Sequence, residues 1–264
     1  MKISWKIIFI IIGCILAIGY IIFANVSFSG KSSSEVCRAV QITVKDSSQI
    51  GFVTARQIAQ TLAGHHFSLM GDEMKNINLA KIENELHKNQ YIEKTECYKT
   101  LDGTLKINIW QRKPVVHVMM GTENYYLDAE GHKLPFALGY SVYVPVVSGE
   151  FSPAYMQNKL FPFIRHISKD EFWNAQIEQI NVRADSLVEL VPRVGDYIIN
   201  LGTIDRFEAK LNKLMTLYIN AFNKIGWNRY SYIDLQYRNR VICTKRDSTA
   251  TKPVVEQEGT EPIQ

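Results

Sequence analysis

The chain opens with an unbroken apolar run, then settles into short segments whose apolar residues recur at strand or helix spacing. From Ile7 to Phe23 every residue is apolar, small or aromatic, and no charge stands between Lys6 and Lys31. At about 1.5 Å per residue, a helix over 7–24 approaches the roughly 20 residues needed to cross a bilayer. A cleaved secretory signal would have a shorter core of about 7–15 residues and a better small-x-small site than Ala24-Asn25-Val26. Ile11 to Cys14 loosely resembles a lipoprotein processing box. Further membrane-compatible residues follow Cys14, however, which reads as a small apolar residue of the helix. Lys2 and Lys6 would hold 1–6 in the cytoplasm and place the rest outside it.

After a Ser- and Gly-containing linker over 25–36, Val40, Ile42 and Val44 alternate with polar residues as in a half-buried strand. Thr54 and Gln57 have capping-box spacing ahead of Ile58 and Leu62, and Asn78 suits an N-cap ahead of Leu79, Ile82 and Leu86. Asp102-Gly103 predicts a hairpin between a strand over 92–101 and one in which Leu105, Ile107 and Ile109 face the helices. Segment 37–114 therefore reads as strand, helix, helix, strand, strand.

Beyond Pro114 the elements shorten. Two runs joined at Gly121 to Asn124, a turn at Ala129-Glu130-Gly131 and a strand around Pro145 come first. A helix over Pro153 to Ser168 is weakened by Pro162, and a shorter one runs near Asp170 to Ala175. Strands then run from Ile177 to Gly202, broken at Ala184-Asp185, Pro192 and Gly195-Asp196. The clearest helix is capped by Thr203 and stopped by Gly226, with Ile204, Phe207, Leu211, Leu214, Tyr218, Phe222 and Ile225 on one face. That spacing nears a heptad. Its few repeats favour one helix packed on a sheet over a coiled coil.

The last periodic stretch runs from Tyr232 to Arg246. Ile233, Leu235 and Tyr237 should face the core, and Asp234, Gln236 and Arg238 should look outward. A turn then leads to the apolar run Val241, Ile242 and Cys243, and no later segment could pair with it. Two readings stay open. Either Arg240, Lys245 and Arg246 guard a self-sufficient edge strand, or they select an acidic, strand-forming partner.

Charge adds one constraint. The chain carries +4 in all, residues 247–264 hold four acids and one base, and the part before them is therefore +7. A mildly basic outer portion suits a membrane surface or an acidic partner, and outside the cytoplasm it has no nucleic acid to meet. The tail over 247–264 reads as disordered. The four cysteines do not make a disulfide framework: Cys37 and Cys97 either pair or are two buried thiols, and Cys243 stays unpaired. The six histidines show no ligand spacing with a Cys or carboxylate partner. No serine sits on a nucleophile turn and no glycine-rich loop cradles phosphate, while Asp128 and Glu130 belong to a turn. Neither a metal, a cofactor nor catalysis is expected.

Four stretches, "WQRKPV" from Trp110, "YYLDAEGHKLP" from Tyr125, "INLGTIDRFEAKLNKL" from Ile199 and "YIDLQYRNRVICTKR" from Tyr232, occur in the order seen in the FtsQ/DivIB family of bacterial cell-division proteins, which the chain resembles. The resemblance implies an α+β protein: an N-terminal transmembrane helix, a POTRA domain over 37–114, and a mixed β-sheet domain with packing helices over 115–246. It implies a non-catalytic bitopic protein of the inner membrane and division septum. Such a protein assembles FtsB-like and FtsL-like partners with other divisome components and couples them to septal peptidoglycan synthesis. By the same resemblance the final strands bind the FtsB-like partner, through Tyr237, Arg240, Val241, Ile242, Cys243, Thr244, Lys245 and Arg246. Arg238-Asn239-Arg240 stands where the family usually has Asn-Gly, so a wider hairpin or a shifted register is expected. The alternatives are a POTRA-bearing envelope transport component, using the strand over 92–101, and an anchored cell-wall enzyme.

Overall fold

The computed structural model describes residues 14–23, 36–46, 51–65, 67, 69–137, 140 and 142–246. Residues 14–23 are helical (α1), and their apolar side chains, among them Ile15, Leu16 and Phe23, are exposed. Among the described residues no helix is long and apolar enough to cross a membrane. The rest of the expected span, the linker and the acidic tail lie outside the described residues, apart from Val36. The chain divides into two compact units, 1–113 with 137–142, and 114–136 with 143–264.

The first unit follows the predicted order: β1 (Ala39–Val44), α2 (Ala55–Gly64), α3 (Leu79–Leu86), β2 (Ile92–Lys99) and β3 (Thr104–Gln111). The strands lie in the order β1-β3-β2, with β1 parallel and β2 antiparallel to β3. Thr54 and Gln57 form the reciprocal capping box, and the Asn78 side chain accepts from Lys81 N. Gly103 takes the left-handed conformation (φ 80°) that the β2–β3 turn requires. Ile58, Leu62, Ile82 and Leu86 of the helices and Leu105, Ile107 and Ile109 of β3 are all buried. Gln111 links this core to its surroundings, accepting from Val53 N at 2.8 Å and donating to Asp46 at 3.2 Å. Cys37 and Cys97 are free thiols, and burial pushes the Cys97 thiol up to about 12.

The second unit is built on a nine-stranded mixed sheet in the order β12-β11-β10-β9-β8-β7-β4-β5-β6. In sequence these are β4 (Pro114–Met120), β5 (Glu123–Asp128), β6 (Lys133–Pro135), β7 (Val146–Gly149), β8 (Ile177–Val182), β9 (Val188–Pro192), β10 (Ile198–Gly202), β11 (Tyr230–Asp234) and β12 (Ile242–Lys245). The β4–β5 turn is tighter than expected, because Gly121 (φ 56°) lets the strand resume at Glu123. One continuous core joins strand residues such as Val118, Ile180, Leu190 and Leu201 to Leu160, Phe163, Leu211, Leu214 and Phe222 of the helices.

The helix predicted over 153–168 forms despite Pro162. It runs as α4 (Pro153–Tyr155), a π-helical turn (Met156–Leu160) and α5 (Phe161–Lys169), and α6 (Glu171–Gln176) follows, capped by the Asp170 side chain. A proline lacks a backbone donor and crowds the carbonyl four residues earlier. Here it enters directly after a widened turn, where the i→i−4 ladder is already interrupted.

The longest helical run needs a correction at its start. α7 (Phe207–Leu217) begins after Arg206, which is left-handed (φ 53°) and gives no side-chain cap, and not after Thr203. Ile204 is buried, so the chain first dips into the core and only then turns up into the helix. The Thr203 carbonyl instead accepts from Lys210 Nζ. A second π turn (Tyr218–Phe222) and α8 (Asn223–Ile225) complete the run, Gly226 ends it (φ 85°), and Ile225 points out of the core.

Candidate functional site

The candidate site is the end of the nine-stranded sheet formed by β12. β10 and β11 are parallel neighbours joined through α7, and β12 then folds back antiparallel on β11. Pairs Asp234↔Ile242, Ile233↔Cys243, Tyr232↔Thr244 and Tyr230↔Lys245 set the register, with one irregularity between Tyr230 and Tyr232. The connection covers 235–241, longer than a two-residue turn, as the loss of Asn-Gly led us to expect. Among the described residues β12 has a strand on one side only. Its other side presents the unpaired backbone groups of an edge.

The named residues differ in what they do. Ile233 and Leu235 of the preceding stretch are fully buried, as expected, while Gln236 and Arg238 are exposed. Tyr237 was expected in the core but is 43% exposed. β11 stops at Asp234, and Lys213 Nζ of α7 then takes the carbonyls of Leu235 (3.0 Å) and Tyr237, which draws the chain out of the sheet. Tyr237 instead lies under the Arg240 guanidinium, 4.7 Å from the ring centroid. Ile242 is 42% exposed, Thr244 and Lys245 are exposed, and Val241 and Cys243 are half-buried against the core cluster. Burial raises the Cys243 thiol above its ordinary value. Arg246 is committed to its own domain: Nη1 reaches Asp196 Oδ2 at 2.8 Å, Nη2 bonds the Asp196 carbonyl, and its N–H donates to Arg229 O.

Beside the hairpin lies a cleft of about 350 Å³, lined by Arg206, Ala209, Lys210, Lys213, Gln236, Tyr237, Arg238 and Asn239. Partial burial lowers the Lys210 and Lys213 ammonium groups, and neighbouring cations add to the effect, Lys213 and Arg206 on Lys210, Arg206 on Lys213. Asp205 opposes it at Lys210, though its carboxylate is also held by Lys159 Nζ at 2.9 Å. Reading the sequence as strands missed this cleft. Its signal was there, in Lys210 and Lys213 one helical turn apart on the helix that precedes the terminal strand. Edge and cleft together offer backbone pairing for an extended chain and positive charge for carboxylates beside it.

A second cluster corrects the reading of the histidines. Asp128, Glu130 and His132 bring three potential ligand atoms within 4.8 Å of one another. Asp128 is buried and closes the β5–β6 turn: Oδ1 accepts from Glu130 N (3.0 Å) and His132 N (2.7 Å), and Oδ2 lies 3.0 Å from His132 Nδ1. The carboxylate thus serves the turn, which is the conformational role its position in the sequence suggested.

Comparisons with known proteins bear on both units. A family model described as FtsQ/DivIB, C-terminal related, matches residues 113–244, which include β11 and nearly all of β12, and a POTRA-like domain model matches 35–110. A protein of Geotalea daltonii named cell division protein FtsQ is 28% identical over 186 residues, 66% of this chain and 66% of the relative. Another of that name, from Rhodothermus marinus, is 23% identical over 202 residues, 69% of this chain and 71% of the relative. The chain thus spans about two thirds of the length of the curated relatives it matches.

Proposed function

The chain belongs to the FtsQ/DivIB family, and on that premise we propose that it is a non-catalytic, single-span cell-division protein that captures a strand of an FtsB-like partner on the open side of β12. The observation that carries the proposal is the position of β12, which among the described residues ends the sheet with a strand on one side only, contains Lys245 and follows Arg240. An added strand would gain its affinity from backbone hydrogen bonds and its selectivity from side chains at alternating positions. The half-buried Val241 and Cys243 offer apolar contact, and the basic cleft favours acidic residues next to the paired segment.

Capture of this kind would hold FtsB-like and FtsL-like proteins at the division septum and link them to peptidoglycan synthesis. The exposed apolar helix over 14–23 supports attachment to the inner membrane, with the two units outside the cytoplasm. The envelope-transport alternative would use β2, which ends the three-stranded sheet. There the Cys97 N–H is already taken by Glu83 Oε1 of α3 at 2.7 Å.

The test is a pull-down of the full chain with the outer segment of an FtsB-like partner, comparing wild type with Arg240→Glu plus Lys245→Glu. These positions are preferable to Arg246, whose bonds to Asp196 belong to the fold. Reversal should weaken capture at least about tenfold, or about 1.4 kcal/mol. Equal capture by both proteins would remove charge selection at this edge.

A further inference from the structure

The cleft beside the β11–β12 hairpin holds more positive charge than the fold neutralises. Arg206, Lys210, Lys213 and Arg238 line it, and among the described residues no acidic side chain does. Two carboxylates lie near enough to act on the lysines, Asp205 on Lys210 and Asp234 on Lys213, but both are engaged elsewhere. Asp205 is held by Lys159 Nζ at 2.9 Å, and Asp234 accepts from Gln236 N at 2.9 Å. Among the described residues none of the four cations forms an ion pair.

The ammonium groups are also short of acceptors. Lys213 Nζ donates to the carbonyls of Leu235 and Tyr237, and Lys210 Nζ donates to that of Thr203. An ammonium has three hydrogens to give, so Lys213 keeps one spare and Lys210 two. Lys210 is only 7% exposed, and a buried charge without a counter-charge is costly.

We propose that the cleft is a binding site for a phosphate-type oxyanion, inorganic phosphate or the terminal phosphate of a small ester, held by Lys210, Lys213, Arg206 and Arg238. This gives the cleft a ligand of its own, whatever β12 binds. A phosphate ester carries about −1.5 to −2 near neutral pH and three acceptor oxygens, and so balances more of the four cations than a single carboxylate does. Its oxygens match the spare ammonium hydrogens and the paired donors of the guanidinium groups. The volume of about 350 Å³ falls at the small end of the range of roughly 300–1,000 Å³ for small-molecule sites. The start of α7 adds to the attraction, because Arg206 provides no side-chain cap for it and Ala209 of its first turn lines the cleft. A bound anion would also relieve the mutual repulsion of the cations, which together with burial lowers both ammonium groups.

The test is calorimetric titration of the full chain in neutral detergent with inorganic phosphate, at constant ionic strength with chloride as the balancing anion. One site with a dissociation constant of about 1 mM or tighter is expected, together with a higher melting midpoint in phosphate than in chloride. Lys210→Met should weaken binding by about tenfold or more. Because that change lies in a buried position, Arg238→Gln in the exposed loop provides a second variant, also expected to lose about tenfold. Lys224→Gln, exposed on α8 and outside the cleft, should bind as wild type does.

Absence of binding overturns the proposal. So does equal binding by wild type, Arg238→Gln and folded Lys210→Met, which would identify an adventitious ion only. Glycerol phosphate in place of phosphate separates the two sources: tighter binding assigns the site to an ester, and equal binding to the free anion. No partner is present in any of these measurements, so their failure is distinguishable from failure of β12 to capture a strand.

Discussion

At one end of the nine-stranded sheet β6 presents three residues, of which Pro135 has no N–H and Lys133 is drawn back over Tyr125 (4.2 Å to the ring centroid) and toward Glu123 (3.6 Å). At the other end β12 presents four residues without a proline, and Ile242, Thr244 and Lys245 are exposed. Short length, charge and proline are the usual means of blunting an edge, and β6 uses all three. β12, at four residues, keeps the short length and the charge but has no proline. Leu134, at the centre of β6, is completely buried, so that strand is anchored by its own core contact. β12 has the half-buried Cys243 in the corresponding role. Among the described residues, the sheet is therefore more thoroughly blunted at the β6 end than at the β12 end, and the β12 end is the one with a basic cleft beside it.

The largest effect should come from removing what holds the open end in place. Leu235→Ala, at a fully buried site, should cost about 2–5 kcal/mol, read as a lower urea midpoint, and should abolish partner capture by loosening the hairpin. A change outside the core separates docking from folding. Lys245→Pro puts into β12 the residue type that blunts β6, at a position alternating with Arg246, whose N–H bonds Arg229 O on the β11 side, and it should reduce capture by about tenfold or more. If it captures partner as wild type does, β12 is not the pairing strand.

Smaller effects probe the closed end and the interior. Lys133→Glu removes a cation–π contact and an exposed ion pair, each worth up to about 1 kcal/mol, and should leave capture unchanged in the same pull-down. A drop in capture there would transfer the docking role to β6. Arg246→Ala should lower stability by less than about 1 kcal/mol, because its bond to Asp196 is exposed, and circular dichroism melts would register it as a small shift.

Alkaline pH should act through buried groups, among them the Cys243 thiol of β12, which burial raises, and the tyrosines of the interior. Burial pushes the Tyr197 hydroxyl, which donates to Tyr218 at 2.9 Å, up to about 12. An unfolded tyrosine titrates near 10, so this stabilisation is complete below about pH 10 and is lost as pH rises toward 12. The urea midpoint should fall over that range, and Tyr197→Phe should remove part of the fall.

Much of this architecture was legible because local signals and tertiary packing agreed. The capping box at Thr54 and Gln57, the Asn78 cap and the Asp102-Gly103 turn each satisfy backbone groups with nearby residues, so their effect does not depend on the rest of the chain. The start of α7 was misread because the burial of Ile204, a long-range event, outweighed the capping preference of Thr203. Tyr237 was misplaced for a similar reason: strand alternation continues through it in sequence, but Lys213 on another element takes the carbonyls and ends the strand. The edge position of the last strand was legible from the lack of any later strand candidate. Of the cleft only the pairing of Lys210 and Lys213 on one helix was legible, since Arg206 at the helix start and Arg238 in the loop are brought to them by the fold.

The central claim is most directly tested by a photo-reactive residue placed at Thr244 or, for comparison, at Lys133, in cells that depend on this protein for division. The account predicts a covalent product with an FtsB-like protein from position 244 and none from position 133. A functional protein that yields the product only from 133, or from neither position, would contradict it.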